Sequence, residues 1–163
     1  MTILELILTI GMMGIVTAAA VLIYNVQFKA WNEGYVRSSV RGNLSQALEL
    51  TVNSLRQAQS IDSLTESSIT FTADLGSGNR SYRLYLYNAN DLEPNPPFTQ
   101  STYSLRFAQG TMNYGDGSVL SADIAQPTSP VFSINNHVIT IDLTGLRGST
   151  QVEMRTNVRP RNL

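Results

Sequence analysis

The first 28 residues, MTILELILTIGMMGIVTAAAVLIYNVQF, constrain this chain more than any other stretch. Their one side-chain charge is Glu5, and the 23 residues that follow it, 6–28, are uncharged and mostly apolar. A hydrocarbon core about 30 Å thick is crossed by roughly 20 such residues in a helix, so the segment is long enough to span a bilayer. The mean hydropathy of the whole chain, −0.05, conceals this because the remainder is polar. A carboxylate in such a segment is costly and marks a candidate functional position. A secretory signal would carry a basic n-region and a shorter apolar run. The segment is therefore expected to belong to the mature protein.

No proline interrupts residues 1–60; all six come later. Past the apolar run the pattern turns amphipathic, and Leu44, Leu48, Val52, Leu55 and Ala58 recur at spacings of four, four, three and three, which places them on one helical face. The expectation is one helix of nearly sixty residues, roughly 85 Å long at 1.5 Å per residue. Its first half is apolar all round and protruding; its second half carries a single stripe. Gly11 and Gly14 lie within it as positions of close helix packing or flexibility. Tyr24, Phe28, Trp31 and Tyr35 line up on one side as an aromatic stripe. With no haem-binding CxxCH in the chain, an interfacial and packing stripe fits better than an electron-transfer ladder.

Beyond Ile61 the periodicity changes from helical to two. Residues 69–74 and 81–87 read as strands around a glycine-rich turn, with Tyr82, Leu84 and Leu86 on one face and Arg83, Tyr85 and Tyr87 on the other. Residues 88–98 are a proline- and asparagine-rich loop that ends on Phe98, 103–108 is a further strand, and 118–125 reads as either a strand or a short edge element. The runs PVFSI and HVITIDL form a hairpin around Asn135–Asn136, with His137 opening the second strand. Residues 150–158 close an antiparallel sheet of four to six strands. The expected fold class is α+β: a long N-terminal helix whose amphipathic half packs on a C-terminal antiparallel sheet. The domain reading is 1–28 hydrophobic transmembrane or polymerisation helix, 29–60 its amphipathic continuation, and 61–163 the globular sheet domain.

The opening MTILELILTIGMMGIV resembles the N-terminus of processed type IV pilins and of the pseudopilins of type II secretion. Met1, Thr2, Glu5, Leu6 and Gly14 match the family signature position by position, over about the first thirty residues. The resemblance implies that a leader ending before Met1 is removed by a prepilin peptidase, which also methylates the Met1 amine. It implies that subunits are held in the inner membrane before assembly, then polymerise into a helical filament at the cell surface or across the periplasm. It further implies pilus or secretion assembly machinery as a partner. Two features depart from the family pattern: Leu22 stands where many members have proline, and the absence of cysteine rules out the C-terminal disulfide that many members carry.

Physical reasoning on Glu5 points the same way. A lone carboxylate in an apolar environment costs several kcal/mol unless paired, and the nearest basic side chain in its helix is Lys29. A neighbouring copy shifted along the axis could present its Met1 amine, so Met1 and Glu5 would register subunits. The competing reading places Glu5 in the first helical turn near the membrane surface, where the helix dipole favours it.

Little else in the chain suggests chemistry. A net charge of −1 with no basic run provides no nucleic-acid footprint. His137 stands alone, no serine sits in GxSxG, and Gly76–Gly78 lacks the lysine of a phosphate loop. No catalytic residue, cofactor or metal ligand is expected. Calcium is a minor alternative at the oxygen-rich loop of Asn88, Asn90, Asp91, Glu93 and Asn95, or at Asp116. The leading expectation is a non-enzymatic structural subunit that binds copies of itself. The alternative is a non-polymerising, single-pass membrane-anchored binding module with an extracytoplasmic β-domain.

Overall fold

The computed structural model describes residues 2–92, 94, 96–110 and 113–161. One helix, α1 (Ile3–Arg56), is followed by eight strands: β1 (Ala58–Leu64), β2 (Ser68–Asp74), β3 (Asn79–Tyr87), β4 (Thr102–Gln109), β5 (Ser118–Ala125), β6 (Phe132–Asn135), β7 (Val138–Arg147) and β8 (Thr150–Val158). All pairings are antiparallel, in the order β1-β2-β3-β4-β5-β7-β6, with β8 along the other edge of β7. The architecture is α+β. The chain divides into two compact units, Met1–Val36 and Arg37–Leu163.

The first unit is helix alone, and residues 2–35 are exposed throughout. In the second unit, α1 contributes Val40, Leu44, Ala47, Leu48, Thr51 and Leu55 to the core. The seat expected for Val52 belongs to Thr51, because the sequence of spacings is four, three and four from Leu44 through Leu48 and Thr51 to Leu55; Val52 is half-buried. The Thr51 hydroxyl is buried without a hydrogen-bond partner among the described residues. Helix α1 stops at Arg56, whose carbonyl accepts the Arg161 N–H at 3.2 Å, rather than near Ser60. Ala58 is buried as the first residue of β1, not as the last of the helical stripe.

The central strands alternate as their period of two requires. Ile69, Phe71 and Ala73 of β2, Tyr82, Leu84 and Leu86 of β3, and Tyr103 and Leu105 of β4 are buried. Gly145 of β7 is where the helix comes closest to the sheet: a methyl group there would lie 2.6 Å from Val40 Cγ1 and 2.9 Å from Leu44 Cδ1. Only glycine lets β7 approach α1 this closely.

Two further expectations, both about the sheet, need correction. The sheet has eight strands, not four to six. Strand β1 escapes a pattern search because its only large apolar residues are Ile61 and Leu64, and irregularities between Ala58 and Ser60 and between Ile61 and Ser63 break its alternation. The β6–β7 hairpin turns on Asn136 and His137, not on Asn135–Asn136. Asn135 pairs with Val138, and Asn136 and His137 have φ of 48° and 62°. Positive φ at both central residues is what a two-residue turn matching strand twist demands. His137 is thus a turn residue in the left-handed region.

Candidate functional site

The N-terminal half of α1 is the feature that calls for a functional account. Eighteen large hydrophobic side chains between Ile3 and Tyr35 are 47–80 % exposed. At roughly 1.5–3 kcal/mol for each such side chain removed from water, the unrealised stabilisation is of the order of tens of kcal/mol. The segment is long and apolar enough to cross a membrane. Gly11 and Gly14 are open, with no atom near the space their missing side chains would fill. Tyr24 stacks with Phe28 (ring centroids 6.2 Å apart) and Trp31 with Tyr35 (6.0 Å), and all four rings remain exposed.

At the start of this helix the Glu5 carboxylate accepts a hydrogen bond from the Thr2 backbone N–H at 3.0 Å, and the Thr2 hydroxyl accepts one from the Glu5 N–H at 3.4 Å. This reciprocal pair is a capping box, which satisfies two N–H groups that a helix start would otherwise leave orphaned. Glu5 is therefore not a bare carboxylate. The signal was present in the sequence as Thr2-x-x-Glu5 before an apolar run, and reasoning on charge alone passed over it. An ionised carboxylate offers about four lone-pair sites, and the N–H of Thr2 occupies one. Thr9 and Thr17 return their hydroxyls to the carbonyls of Glu5 and Met13, so both polar side chains are satisfied within the apolar stretch. Met1, the other residue expected to register subunits, lies outside the described residues.

In the oxygen-rich loop after β3, the side chains of Asn88 and Asp91 are bonded to neighbouring groups of the chain. The Asn88 side-chain amide donates to the Thr102 carbonyl, and its oxygen accepts from the Asn90 N–H. Asp91 accepts from the Tyr103 hydroxyl at 2.9 Å, while that hydroxyl accepts the N–H groups of Thr99 and Gln100. Glu93 and Asn95 lie outside the described residues. Asp116 bonds the Asn113 amide in a separate turn. No cluster of three or more His, Cys, Asp or Glu side chains suited to a metal occurs among the described residues.

The solvent-side face of β3 and β4 holds a lattice of arginine and tyrosine. The Arg83 guanidinium lies 4.1 Å from the ring centre of Tyr114 and 5.1 Å from that of Tyr85, and Arg106 lies 4.2 Å from that of Tyr87. Arg106 also donates to the carbonyls of Gly115 and Gly117. The Tyr85 hydroxyl donates to the Tyr114 carbonyl at 2.5 Å, and burial pushes its pKa above the ordinary 10.0. These contacts fasten the loop before β5 over the sheet. Comparison with known proteins finds no family model, no curated protein and no solved structure that matches the chain.

Proposed function

We propose that this protein is the structural subunit of a type IV pilus-like filament, polymerising through the apolar half of α1. The observation that carries the reading is a helical surface exposed all round from Ile3 to Tyr35 and mostly apolar and uncharged over residues 6–28, headed by the Glu5 carboxylate. Lipid covers such a surface in an unassembled subunit, and copies of the same helix cover it in a filament. In the filament, the Glu5 carboxylate accepts the Met1 amine of a neighbour at lone pairs that the Thr2 N–H leaves open, which sets the axial stagger. The matching residues Met1, Thr2, Glu5, Leu6 and Gly14 support this reading. Under it, prepilin peptidase processes and methylates Met1, the inner membrane holds the subunit before assembly, and the filament stands at the surface or spans the periplasm.

The capping box favours a second reading, because it explains Glu5 without a partner. In that case the helix is a permanent anchor for an extracytoplasmic β-domain. Filaments of the wild-type protein in electron micrographs of sheared cells separate the two, and Glu5→Gln then tests the role of the charge. Glutamine keeps the capping geometry and loses the charge. The filament reading expects Glu5→Gln to abolish filaments in electron micrographs of sheared cells while the protein stays in the membrane. Filaments at wild-type abundance would overturn charge-based registration.

A further inference from the structure

The sheet ends in an edge with a distinctive order of side chains. Strand β8 runs Thr-Gln-Val-Glu-Met-Arg-Thr-Asn-Val from Thr150 to Val158 and pairs with β7 in nine consecutive residue pairs without a bulge. Its other side has no strand, and its backbone makes no further backbone hydrogen bond among the described residues. The opposite edge of the sheet, β1, carries two irregularities, which disrupt pairing there. Strand β8 has neither bulge nor proline, two of the devices that blunt an edge; the charges it carries, Glu153 and Arg155, are of opposite sign.

The charge pattern of β8 selects a partner. Gln151, Glu153, Arg155 and Asn157 are exposed on the solvent-side face, and Met154 lies half-buried on the helix side, 3.8 Å from the Ser45 hydroxyl. Glu153 and Arg155 are the only charged residues of the strand and are symmetric about Met154. When two copies of β8 pair antiparallel about a two-fold axis through Met154, each Glu153 faces the Arg155 of the other copy. Each Gln151 faces an Asn157, and each Val152 faces a Thr156. Moving the axis to Glu153 sets two glutamates opposite each other, and moving it to Arg155 sets two arginines together. Like charges directly opposed on neighbouring strands are destabilising, and opposite charges are stabilising.

We propose that β8 is a self-association edge, and that two copies of this chain join their sheets through a two-fold β8–β8 pairing centred on Met154. The pairing is isologous: the same patch serves both copies. It does not rest on the filament reading. Subunits that all point the same way along one filament are not related by such an axis, so the pair links subunits of separate filaments or subunits outside any filament.

The absence of cysteine from the chain allows a direct test on full-length protein in detergent micelles. Met154→Cys places the two thiols across the axis, and mild oxidation should yield a disulfide-linked dimer at least about tenfold faster than Ser77→Cys, a control in the exposed β2–β3 turn. Without added cysteine, Glu153→Arg or Arg155→Glu alone should weaken the dimer about tenfold in sedimentation, because each reversal affects both symmetric pairs. The double reversal should recover it. Equal cross-linking of the Met154→Cys and Ser77→Cys variants would overturn the proposal, as would dimerisation indifferent to the single reversals or single losses that the double reversal does not repair.

Discussion

Individual side chains determine how closely the layers of this protein meet. Gly145 admits Val40 and Leu44 of α1 to the surface of β7, and a methyl group at that position would overlap both. Gly145→Ala should destabilise the fold by about 1–3 kcal/mol through overpacking. Gly42→Ala, in open space on the same helix, should add up to about 1 kcal/mol; chemical denaturation of the two variants checks the contrast. Tyrosine ionisation provides a second residue-scale prediction. Burial raises the pKa of Tyr85, with the Gly117 backbone and nearby arginines opposing it; burial also raises that of Tyr103, where the Asp91 carboxylate adds to the effect. Above pH about 10 the unfolded chain loses these protons while the folded chain retains them. The unfolded state then binds fewer protons, so stability falls as pH rises. Denaturation midpoints should hold steady up to pH about 9 and decline above about 10, and Tyr85→Phe should make the decline shallower.

At the scale of elements, turn chemistry and register settle what periodicity leaves open. The β6–β7 turn needs two left-handed residues and finds Asn136 and His137 there. Asparagine tolerates that region, whereas histidine lacks glycine's freedom in it. His137→Gly creates the Asn-Gly pair such turns favour and should stabilise the protein by about 0.5–1 kcal/mol, read as a higher thermal midpoint. Asp74 serves the β2–β3 turn differently, its carboxylate accepting the N–H groups of Gly76 and Gly78 at 2.9 and 3.0 Å. The long helix was legible because its pattern runs for more than fifty residues without proline. Its end was not, because Arg56 is capped by Arg161, a residue more than a hundred positions away. Strand β1 was equally hidden, since a bulged edge strand has no regular alternation to read.

For the whole molecule, the division of labour follows burial. The hydrophobic core begins at Val40, and residues 2–35 contribute no buried side chain to it. A chain lacking residues 1–28 should therefore remain folded, with a thermal midpoint within a few degrees of full-length protein and no need for detergent. Circular dichroism melting and gel filtration check this. A collapse of the sheet on truncation would mean that the apolar segment supports the fold. The arginine–tyrosine lattice of β3 and β4 belongs to this scale too, because it joins two strands and the loop before β5 through contacts between residues far apart in the chain, such as Arg83 with Tyr114.

Hydrophobic periodicity is a local property, and the sequence by itself determined everything that depends on it. An uninterrupted apolar helix with one early carboxylate, an amphipathic continuation, and a strand with Tyr82, Leu84 and Leu86 on one face were all readable. The Thr2–Glu5 capping box was readable as well, because its partners are three residues apart. Only the tertiary structure decided which residue of a helical turn enters the core, where α1 stops, that Gly145 is a contact point, and that β8 is an unpaired edge. Each of these depends on residues distant in the chain coming within a few ångströms, and one-dimensional spacing does not encode that proximity.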